Sequence, residues 1–251
     1  MSVLRQAFFE MLELLVPDNC CHCGAPSERE GYGLCARCSG SIPTLSPRRC
    51  RGCDLSAPSG SVPVLLGSDG MCSACSDEVE RPRIRACAPF SGVVLPSLLL
   101  GLKYRGQRHL ARPLAHLMWL AARDRLDLNA FDAVVPVPLH DRRLLRRGFN
   151  QAALLSMEIC HRGNLPLFHA LKRPSPTRPQ ARLGSADRAL NPRGAFALSA
   201  AFSESIEGRR ILLLDDVVTT GATVTECARV LRSRGAARVD VMCLGRTLRT
   251  R

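Results

Sequence analysis

The chain has 251 residues, enough for one α/β domain and a small additional module. No stretch approaches the about 20 apolar residues that a transmembrane helix needs, so we expect a cytoplasmic protein with no membrane span. The charge is uneven: residues 1–80 carry 6 basic and 10 acidic side chains, whereas residues 81–251 carry 29 and 12.

The basic second part has two interpretations. Clustered arginine suits polyanionic partners such as phosphates, pyrophosphate or nucleic acid. However, only Lys103 and Lys172 are lysines, and so strong a preference for arginine is also typical of a GC-rich genome. The charge alone therefore does not identify a partner.

The first predicted element is an amphipathic helix over residues 3–16. Its apolar residues recur at helical spacing, but it contains Glu10 and Glu13 and lacks a small-residue cleavage site. We therefore expect it to pack on the protein, with membrane association as a minor alternative, and we do not expect a signal peptide.

Four C-x-x-C knuckles follow. Each supplies two thiolates at a spacing that tetrahedral zinc accepts, and two knuckles complete a structural site. We therefore predict two structural Zn²⁺ ions. The eight predicted ligands are Cys20, Cys23, Cys35, Cys38, Cys50, Cys53, Cys72 and Cys75.

The pairing of the knuckles stays open in the sequence. A sequential pairing gives spacers of 11 and 18 residues, but the spacer between Cys38 and Cys50 is also 11 residues, so an interleaved pairing is compatible. Redox disulfides and an iron–sulfur cluster are the rival interpretations. Cys21 and His22 lie inside the first knuckle and are interpreted as bystanders.

From about residue 85, predicted strands alternate with predicted helices. This pattern predicts an α/β fold, a mostly parallel sheet with flanking helices, over residues 85–251, with the helix and zinc ribbons in residues 1–80. The predicted strands are 86–90, 131–138, 196–198, 211–214 and 238–244, and the predicted helices are 95–102, 110–126, 150–160 and 224–233.

Residues 135–151 place cations after a buried strand. The strand ends in prolines and is followed by Arg142, Arg143, Arg146 and Arg147, then by Gly148 and a helix that begins at Asn150. Arginine binds phosphate oxygens through two parallel hydrogen bonds, so these residues suit a diphosphate. The alternative is a solvated arginine surface.

A long polar stretch, residues 172–193, contains four prolines and five arginines. A loop of this length within a compact domain is usually functional or mobile. Its arginines Arg178, Arg182 and Arg188 are candidate ligands for a departing pyrophosphate.

The most informative segment is Ile-Leu-Leu-Leu-Asp-Asp-Val-Val-Thr-Thr-Gly-Ala-Thr, residues 211–223. We expect a buried strand over residues 211–214, two acids at its carboxyl end, and a small-residue loop that enters a helix. Such a loop offers free N–H groups to a phosphate, and the acids suit a polyol or a hydrated cation. The alternative is a polar turn with a threonine helix cap. At roughly 7 Å in water two carboxylates repel by only about 0.6 kcal/mol, so we expect both to be ionised.

This segment resembles the signature of type I phosphoribosyltransferases. The resemblance implies that Asp215 and Asp216 hold the ribose of 5-phosphoribosyl 1-diphosphate (PRPP) and are the catalytic acids. It implies that the 5-phosphate and its surroundings are bound by Val217, Val218, Thr219, Thr220, Gly221, Ala222 and Thr223. Mg²⁺ accompanies PRPP in such enzymes, and Lys103, Arg143 and Arg147 are candidates for its diphosphate.

The chain also resembles the ComF (competence protein F) family. The resemblance depends on Pro-Val-Pro-Leu followed by Arg-Gly-Phe-Asn-Gln, on Leu-Lys-Tyr at 102–104, and on the cysteine knuckles before the transferase-like part. It implies a phosphoribosyltransferase-like protein that acts on an unknown acceptor and is linked to DNA uptake in natural transformation. Thr219 and Ala222 replace the acid and lysine typical of 6-oxopurine transferases, so oxopurine salvage is not expected.

Two alternatives to an enzyme remain at this point. One is a non-catalytic module that binds single-stranded DNA or a DNA-uptake helicase and keeps a vestigial PRPP pocket. The other is a PRPP-sensing regulator. Aromatic residues make up only 4% of the chain, which gives single strands few stacking platforms.

Overall fold

A four-stranded parallel sheet forms the centre of the protein. The structure is a computed structural model that describes residues 19–27, 33–56, 64–78, 80–123, 125–174 and 194–247. Its helices and strands are, in chain order, α1 (Ala36–Gly40), α2 (Ser73–Ser76), β1 (Ile84–Pro89), α3 (Val94–Tyr104), α4 (Ala111–Arg123), β2 (Ala133–Pro136), α5 (Asp141–Arg147), α6 (Gln151–Gly163), β3 (Leu171–Lys172), β4 (Ala197–Leu198), α7 (Ser203–Ile206), β5 (Arg210–Val218), α8 (Ala222–Arg232) and β6 (Arg238–Arg246). The helix predicted for residues 3–16 lies outside these ranges.

The strand order is β1-β6-β5-β2, and every neighbouring pair is parallel. β3 and β4 form a separate antiparallel pair. The predicted α/β fold with a mostly parallel sheet is confirmed. Among the described residues, none of the helices combines the length and the apolar character needed to cross a lipid bilayer.

Both faces of the sheet are buried, as the run of four aliphatic residues in β5 predicts. Leu212 and Leu214 face a cluster that includes α3, α4 and α6. Ile211 and Leu213 face a second cluster that includes α8. Because successive side chains of a strand point to opposite faces, a strand covered on both sides has to be apolar throughout.

The cysteines of the first two knuckles lie on one face of this sheet, and those of the last two knuckles lie on the other. Cys20, Cys35 and Cys38 pack in the first cluster, and Cys50 and Cys53 pack in the second. Since β1 is an edge strand, the N-terminal part of the chain passes around this edge and contributes to both cores.

The outer edge of β1 is covered by the third knuckle and its surroundings. The Ile84 N–H donates to the Gly52 carbonyl at 2.8 Å, and the Ala86 N–H donates to Asp54 Oδ2 at 2.9 Å. The Ala86 carbonyl accepts a hydrogen bond from Arg125 at 3.1 Å. In the first half of β1, groups that an edge strand usually leaves free are therefore paired within the chain.

Asp54 is the centre of this contact. Asp54 is only 3% exposed. Its carboxylate contacts Arg125 directly and lies 3.4 Å from Arg49 and 3.9 Å from Arg85. Its backbone is left-handed, with φ at 53°, a conformation that aspartate and asparagine tolerate better than most residues. Three cations thus offset the cost of burying one carboxylate.

We expect Asp54→Asn to lower the free energy of unfolding by about 2–4 kcal/mol, because it leaves three partly buried arginines without their anion. Asparagine keeps the left-handed backbone accessible, so the effect reports the charge. Urea unfolding would measure it. Asp132→Asn, which breaks a half-exposed pair with Arg210, is the control and should lower stability less, because water screens that pair. Equal effects of the two changes would contradict this account.

Candidate functional site

An open corner forms where β5 continues beyond its neighbour. β2 ends at Pro136, which is opposite Leu214, whereas β5 continues beside β6 to Val218. The strand is longer than the predicted 211–214, so Asp215 and Asp216 lie within it rather than after it. They still lie at the carboxyl edge of the sheet, which is where ligands bind in open α/β folds.

The two carboxylates have different environments. The Asp215 carboxylate accepts a hydrogen bond from the Asp216 N–H at 2.8 Å. Burial, assisted by the negative charge of Asp216, raises the pKa of Asp215 to about 7. At neutral pH a pKa of about 7 leaves Asp215 only partly ionised, so the expectation that both acids are ionised does not hold fully for Asp215, because the protein rather than water surrounds its carboxyl group.

Lys103 contacts the second acid. It lies near the end of α3, and its Nζ donates to Asp216 Oδ1 at 2.7 Å. Both side chains are largely buried, at 19% and 14% exposed. The sequence placed Lys103 beside a diphosphate; the structure brings it to the same site but pairs it with the acid.

Thr219, Thr220 and Gly221 form a turn between β5 and α8, called here the threonine turn. Val217 and Val218 precede it in β5, and Ala222 and Thr223 are the first residues of α8. The Ala222 N–H donates to Thr220 Oγ1 at 3.3 Å. Among the described residues, the N–H groups of the three turn residues donate to no acceptor. Together with the N-terminus of α8 they form a cradle for an anion.

Gly221 is required by this geometry. Its φ is +88°, and a Cβ at this position would lie 2.5 Å from Arg81 Nη2. Any other residue would be strained and would displace the guanidinium.

The predicted arginine segment folds into α5, a short helix that the sequence did not predict. Arg142, Arg143 and Arg146 are exposed on it. The Arg147 guanidinium lies 4.8 Å from the centre of the Tyr104 ring, and Tyr104 directly follows Lys103 in the chain. Neither Arg143 nor Arg147 forms an ion pair with Asp215 or Asp216; Arg147 approaches the site through Tyr104, and Arg143 lies on the same short helix.

The Arg-Gly-Phe-Asn-Gln segment has a structural explanation. Gly148 ends α5 with a left-handed backbone, and Phe149 packs in the core. The helix predicted to begin at Asn150 begins at Gln151; the Asn150 side chain caps it and also donates to the Val137 carbonyl at 2.9 Å. This bond fixes the chain where it leaves β2 and thereby holds α5 at the carboxyl edge.

The eight predicted cysteines form two tetrads. The first tetrad is Cys20, Cys23, Cys35 and Cys38, and the second tetrad is Cys50, Cys53, Cys72 and Cys75; within each, all sulfur atoms lie within 4.8 Å of one another. This is the sequential pairing, and Cys21 and His22 belong to neither tetrad.

The tetrads have the dimensions of a zinc site. Four thiolates at about 2.3 Å from a tetrahedral Zn²⁺ stand about 3.8 Å apart. The sulfur atoms of Cys23 and Cys35 are 3.7 Å apart, and so are those of Cys53 and Cys72. A hydrogen bond from Cys75 and the charge of Arg246, whose Nη2 lies 3.8 Å from Cys53 Sγ, lower the pKa of Cys53, whereas burial and the neighbouring thiols raise the pKa of Cys72.

Sequence reasoning missed three arginines near the site. Arg81 and Arg246 bind carbonyl groups of the threonine turn. Arg173 is partly buried over the Phe196 ring at 5.2 Å, and burial, with Arg143 nearby, lowers its pKa. No motif marks these residues, because they reach the site from other elements. The predicted pyrophosphate ligands Arg178, Arg182 and Arg188 lie outside the described residues.

Comparison with known proteins places this geometry in a family. Residues 148–250 match the profile of the phosphoribosyl transferase domain. The chain is 38% identical to competence protein F of Haemophilus influenzae over 156 residues, 61% of this chain and 68% of that protein. It is 33% identical to the DNA utilization protein YhgH of Escherichia coli over 243 residues, 94% of this chain and all of the relative.

The chain belongs to the competence protein F (ComF) family. The predicted family is thus confirmed, and so is the phosphoribosyltransferase-like fold. ComFC of Bacillus subtilis is also similar, with 36% identity over 108 residues, 41% of this chain and 40% of that protein. In this ComF-family chain, the residues that match the profile include Gly148, the acid pair Asp215 and Asp216, and the threonine turn.

The raised pKa of Asp215 predicts a pH-dependent stability. The unfolded chain loses this proton near pH 4, whereas the folded chain keeps it until about pH 7, so stability falls as the pH rises from about 4 to about 7 and levels off above that. Between pH 5.5 and 8 this group should lower the free energy of unfolding by about 1–2 kcal/mol in magnesium-free buffer. Asp215→Asn should not show this part of the decrease.

Urea unfolding at the two pH values would measure the difference. Asp132→Asn is the matched control: Arg210 lowers the pKa of Asp132 to about 2, so that carboxylate is ionised throughout this range in both states. Parallel pH profiles for the wild type and Asp215→Asn would show that Asp215 does not titrate near pH 7.

Proposed function

We propose that the protein binds PRPP with Mg²⁺ and transfers the phosphoribosyl group to an acceptor. One juxtaposition supports the proposal: the acid pair at the open end of β5 is followed within three residues by a turn whose N–H groups find no acceptor in the part of the chain that the structure describes. Carboxylates suit the ribose hydroxyls, and the threonine turn suits the 5-phosphate.

In the proposed site, Asp215 and Asp216 have different roles. Asp216, held by Lys103, accepts hydrogen bonds from one side of the ribose. Asp215 has a pKa of about 7, so its carboxylate becomes available when a ligand that donates hydrogen bonds or a cation lowers this pKa again. Lys103, α5 and Arg173 supply positive charge around the diphosphate.

The site fits Mg²⁺ only together with the ligand. Among the described residues, the groups of three or more metal-binding side chains are the two cysteine tetrads. The acid pair alone offers too few oxygens for a dedicated magnesium site, but Mg²⁺ typically keeps several waters and binds one or two carboxylates plus substrate phosphates. It would stabilise the charge of the leaving diphosphate.

In the proposed reaction, an acceptor nucleophile forms a bond to ribose C1 as the bond from C1 to the diphosphate oxygen breaks. Pyrophosphate leaves with the bonding electron pair, and the acceptor loses its proton. The chain's residues hold the ribose, fix the 5-phosphate and balance the charge that develops on the diphosphate.

We further propose that each cysteine tetrad holds one structural Zn²⁺. Their sulfur spacing and their position within the two hydrophobic clusters support a closed structural site. A chain segment this poor in long apolar runs needs such a cross-link, because burial alone does not stabilise it.

We expect two Zn²⁺ per chain by mass spectrometry of the purified protein. Cys23→Ser should reduce this number to one, because three thiolates hold zinc far less tightly than four. Cys21→Ser is the matched control, since Cys21 is a neighbour within the same knuckle but outside the tetrad, and should retain both ions. Loss of zinc from both variants alike would contradict the assignment.

Because relatives are named for competence and DNA utilization, we propose that the activity serves the handling of DNA during uptake. A second candidate is a module that binds single-stranded DNA or a helicase partner. The exposed arginines of α5 beside the exposed Tyr104 favour it, since they combine phosphate-binding charge with one stacking surface.

We expect the wild type to bind PRPP in the presence of Mg²⁺, and Asp215→Asn/Asp216→Asn to bind it at least about 100-fold more weakly, because two charge-assisted contacts are lost. Calorimetry would measure the affinities. Asp132→Asn removes a carboxylate just before β2, at the amino-terminal end of the parallel strands, and should leave binding unchanged.

Unchanged PRPP affinity in the double variant would remove the proposed pocket. Pyrophosphate release in the presence of a panel of bases would establish transfer. PRPP binding without release would favour a sensor, and a steeply salt-dependent shift of single-stranded DNA that ignores the acid pair would favour the binding module.

A further inference from the structure

Two arginines connect the second tetrad to the threonine turn. Arg246, at the end of β6, is 5% exposed; its Nε donates to the Cys53 carbonyl at 3.2 Å, and its Nη2 lies 3.8 Å from Cys53 Sγ. On the other side, its Nη1 donates to the Val218 carbonyl at 2.9 Å and contacts the Thr219 carbonyl.

Arg81 makes the equivalent connection from the other knuckle of the second tetrad. Its Nη1 donates to the Ala74 carbonyl, between Cys72 and Cys75, at 3.1 Å. Its Nη2 contacts the Thr220 carbonyl. Each of the two knuckles therefore supplies the anchor for one arginine.

These contacts orient the peptide groups of the turn. The described peptide bonds are all trans, so the carbonyl of one residue and the N–H of the next point in opposite directions. The carbonyls of Val218, Thr219 and Thr220 are held toward the arginines. The N–H groups of Thr219, Thr220 and Gly221 consequently point away from the second tetrad, toward the side on which an anion would lie. Two guanidinium groups behind the turn also add positive charge.

The first tetrad has no such connection. It packs in the hydrophobic cluster on the other face of the sheet, and none of the described hydrogen bonds joins its knuckles to the threonine turn. The two metal-binding sets, chemically alike, thus differ in what they support.

We propose that Arg81 and Arg246 are positioning residues through which the second tetrad holds the threonine turn in its binding conformation. A metal ion in the second tetrad holds the two knuckles together, and only then are both arginine anchors in place. Occupancy of this tetrad therefore sets the affinity for the sugar phosphate, whereas occupancy of the first tetrad does not. The inference depends on the ribose 5-phosphate site proposed above.

Arg81 provides the first test. Calorimetry with ribose 5-phosphate on the full-length, zinc-loaded protein should show that Arg81→Ala binds about tenfold or more weakly than the wild type. Arg85→Ala is the control: it removes an equal charge, and Arg85 binds the Arg51 carbonyl near the same tetrad without reaching the turn. Its affinity should be unchanged, and both variants should retain two Zn²⁺.

Arg81→Lys separates positioning from charge. Lysine keeps the charge, but its single ammonium group does not reproduce the fork that binds Ala74 and Thr220 together. Affinity should therefore stay low in this variant. Recovery of wild-type affinity would show that charge alone matters and would overturn the positioning role.

The tetrads provide the second test. Cys72→Ser/Cys75→Ser and Cys35→Ser/Cys38→Ser should each lose one Zn²⁺, but only the first pair of changes should weaken ribose 5-phosphate binding about tenfold or more. Equal weakening by both pairs would overturn the coupling. If either cysteine variant does not fold, the Arg81 series decides alone.

The outcomes separate the two proposals. Absence of ribose 5-phosphate binding in the wild type would reject the proposed function. Binding in the wild type together with unchanged affinity in Arg81→Ala would reject only the role of the second tetrad.

Discussion

The unequal lengths of two neighbouring strands determine the rest of the site. Because β2 stops opposite Leu214 while β5 continues with β6 to Val218, the last residues of β5 have a strand on one side only. Two acids at this position stay attached to a rigid ladder and still face an open corner. The turn, the start of α8 and the end of α3 then converge on the same point, so one difference in strand length brings together groups that are distant in the sequence.

The charges at this corner, and the raised pKa of Asp215, suit a ligand-binding site. A partly buried carboxyl whose pKa is about 7, beside a second carboxylate that a lysine holds, contributes little to stability. Such an arrangement costs folding free energy, and proteins usually keep it where binding or catalysis needs it. By contrast, Asp54 is surrounded by arginines and joins elements of the fold. Asp54 therefore has a structural role, whereas Asp215 has the properties expected of the binding role proposed for it.

Much of this could be predicted from the sequence, and the failures have physical causes. Periodicity located the strands and long helices, because a two-sided core requires unbroken aliphatic runs such as residues 211–214. The C-x-x-C spacing predicted the tetrads but left their pairing open, since spacers of similar length are compatible with more than one arrangement. The burial of Asp215 depends on what packs around the strand. Arg81 and Arg246 were missed because a contact between a side chain and a distant carbonyl leaves no pattern in the sequence.

The covered edge of β1 has a consequence for the protein's behaviour in concentrated solution. A strand whose outward N–H and C=O groups are free can pair with another polypeptide and begin a growing assembly. Here Gly52, Asp54 and Arg125 pair the outward groups of Ile84 and Ala86, and Gly52 lies in a knuckle of the second tetrad. The zinc ion proposed for this tetrad would therefore help to protect the newly made chain from self-association as well as shape its fold.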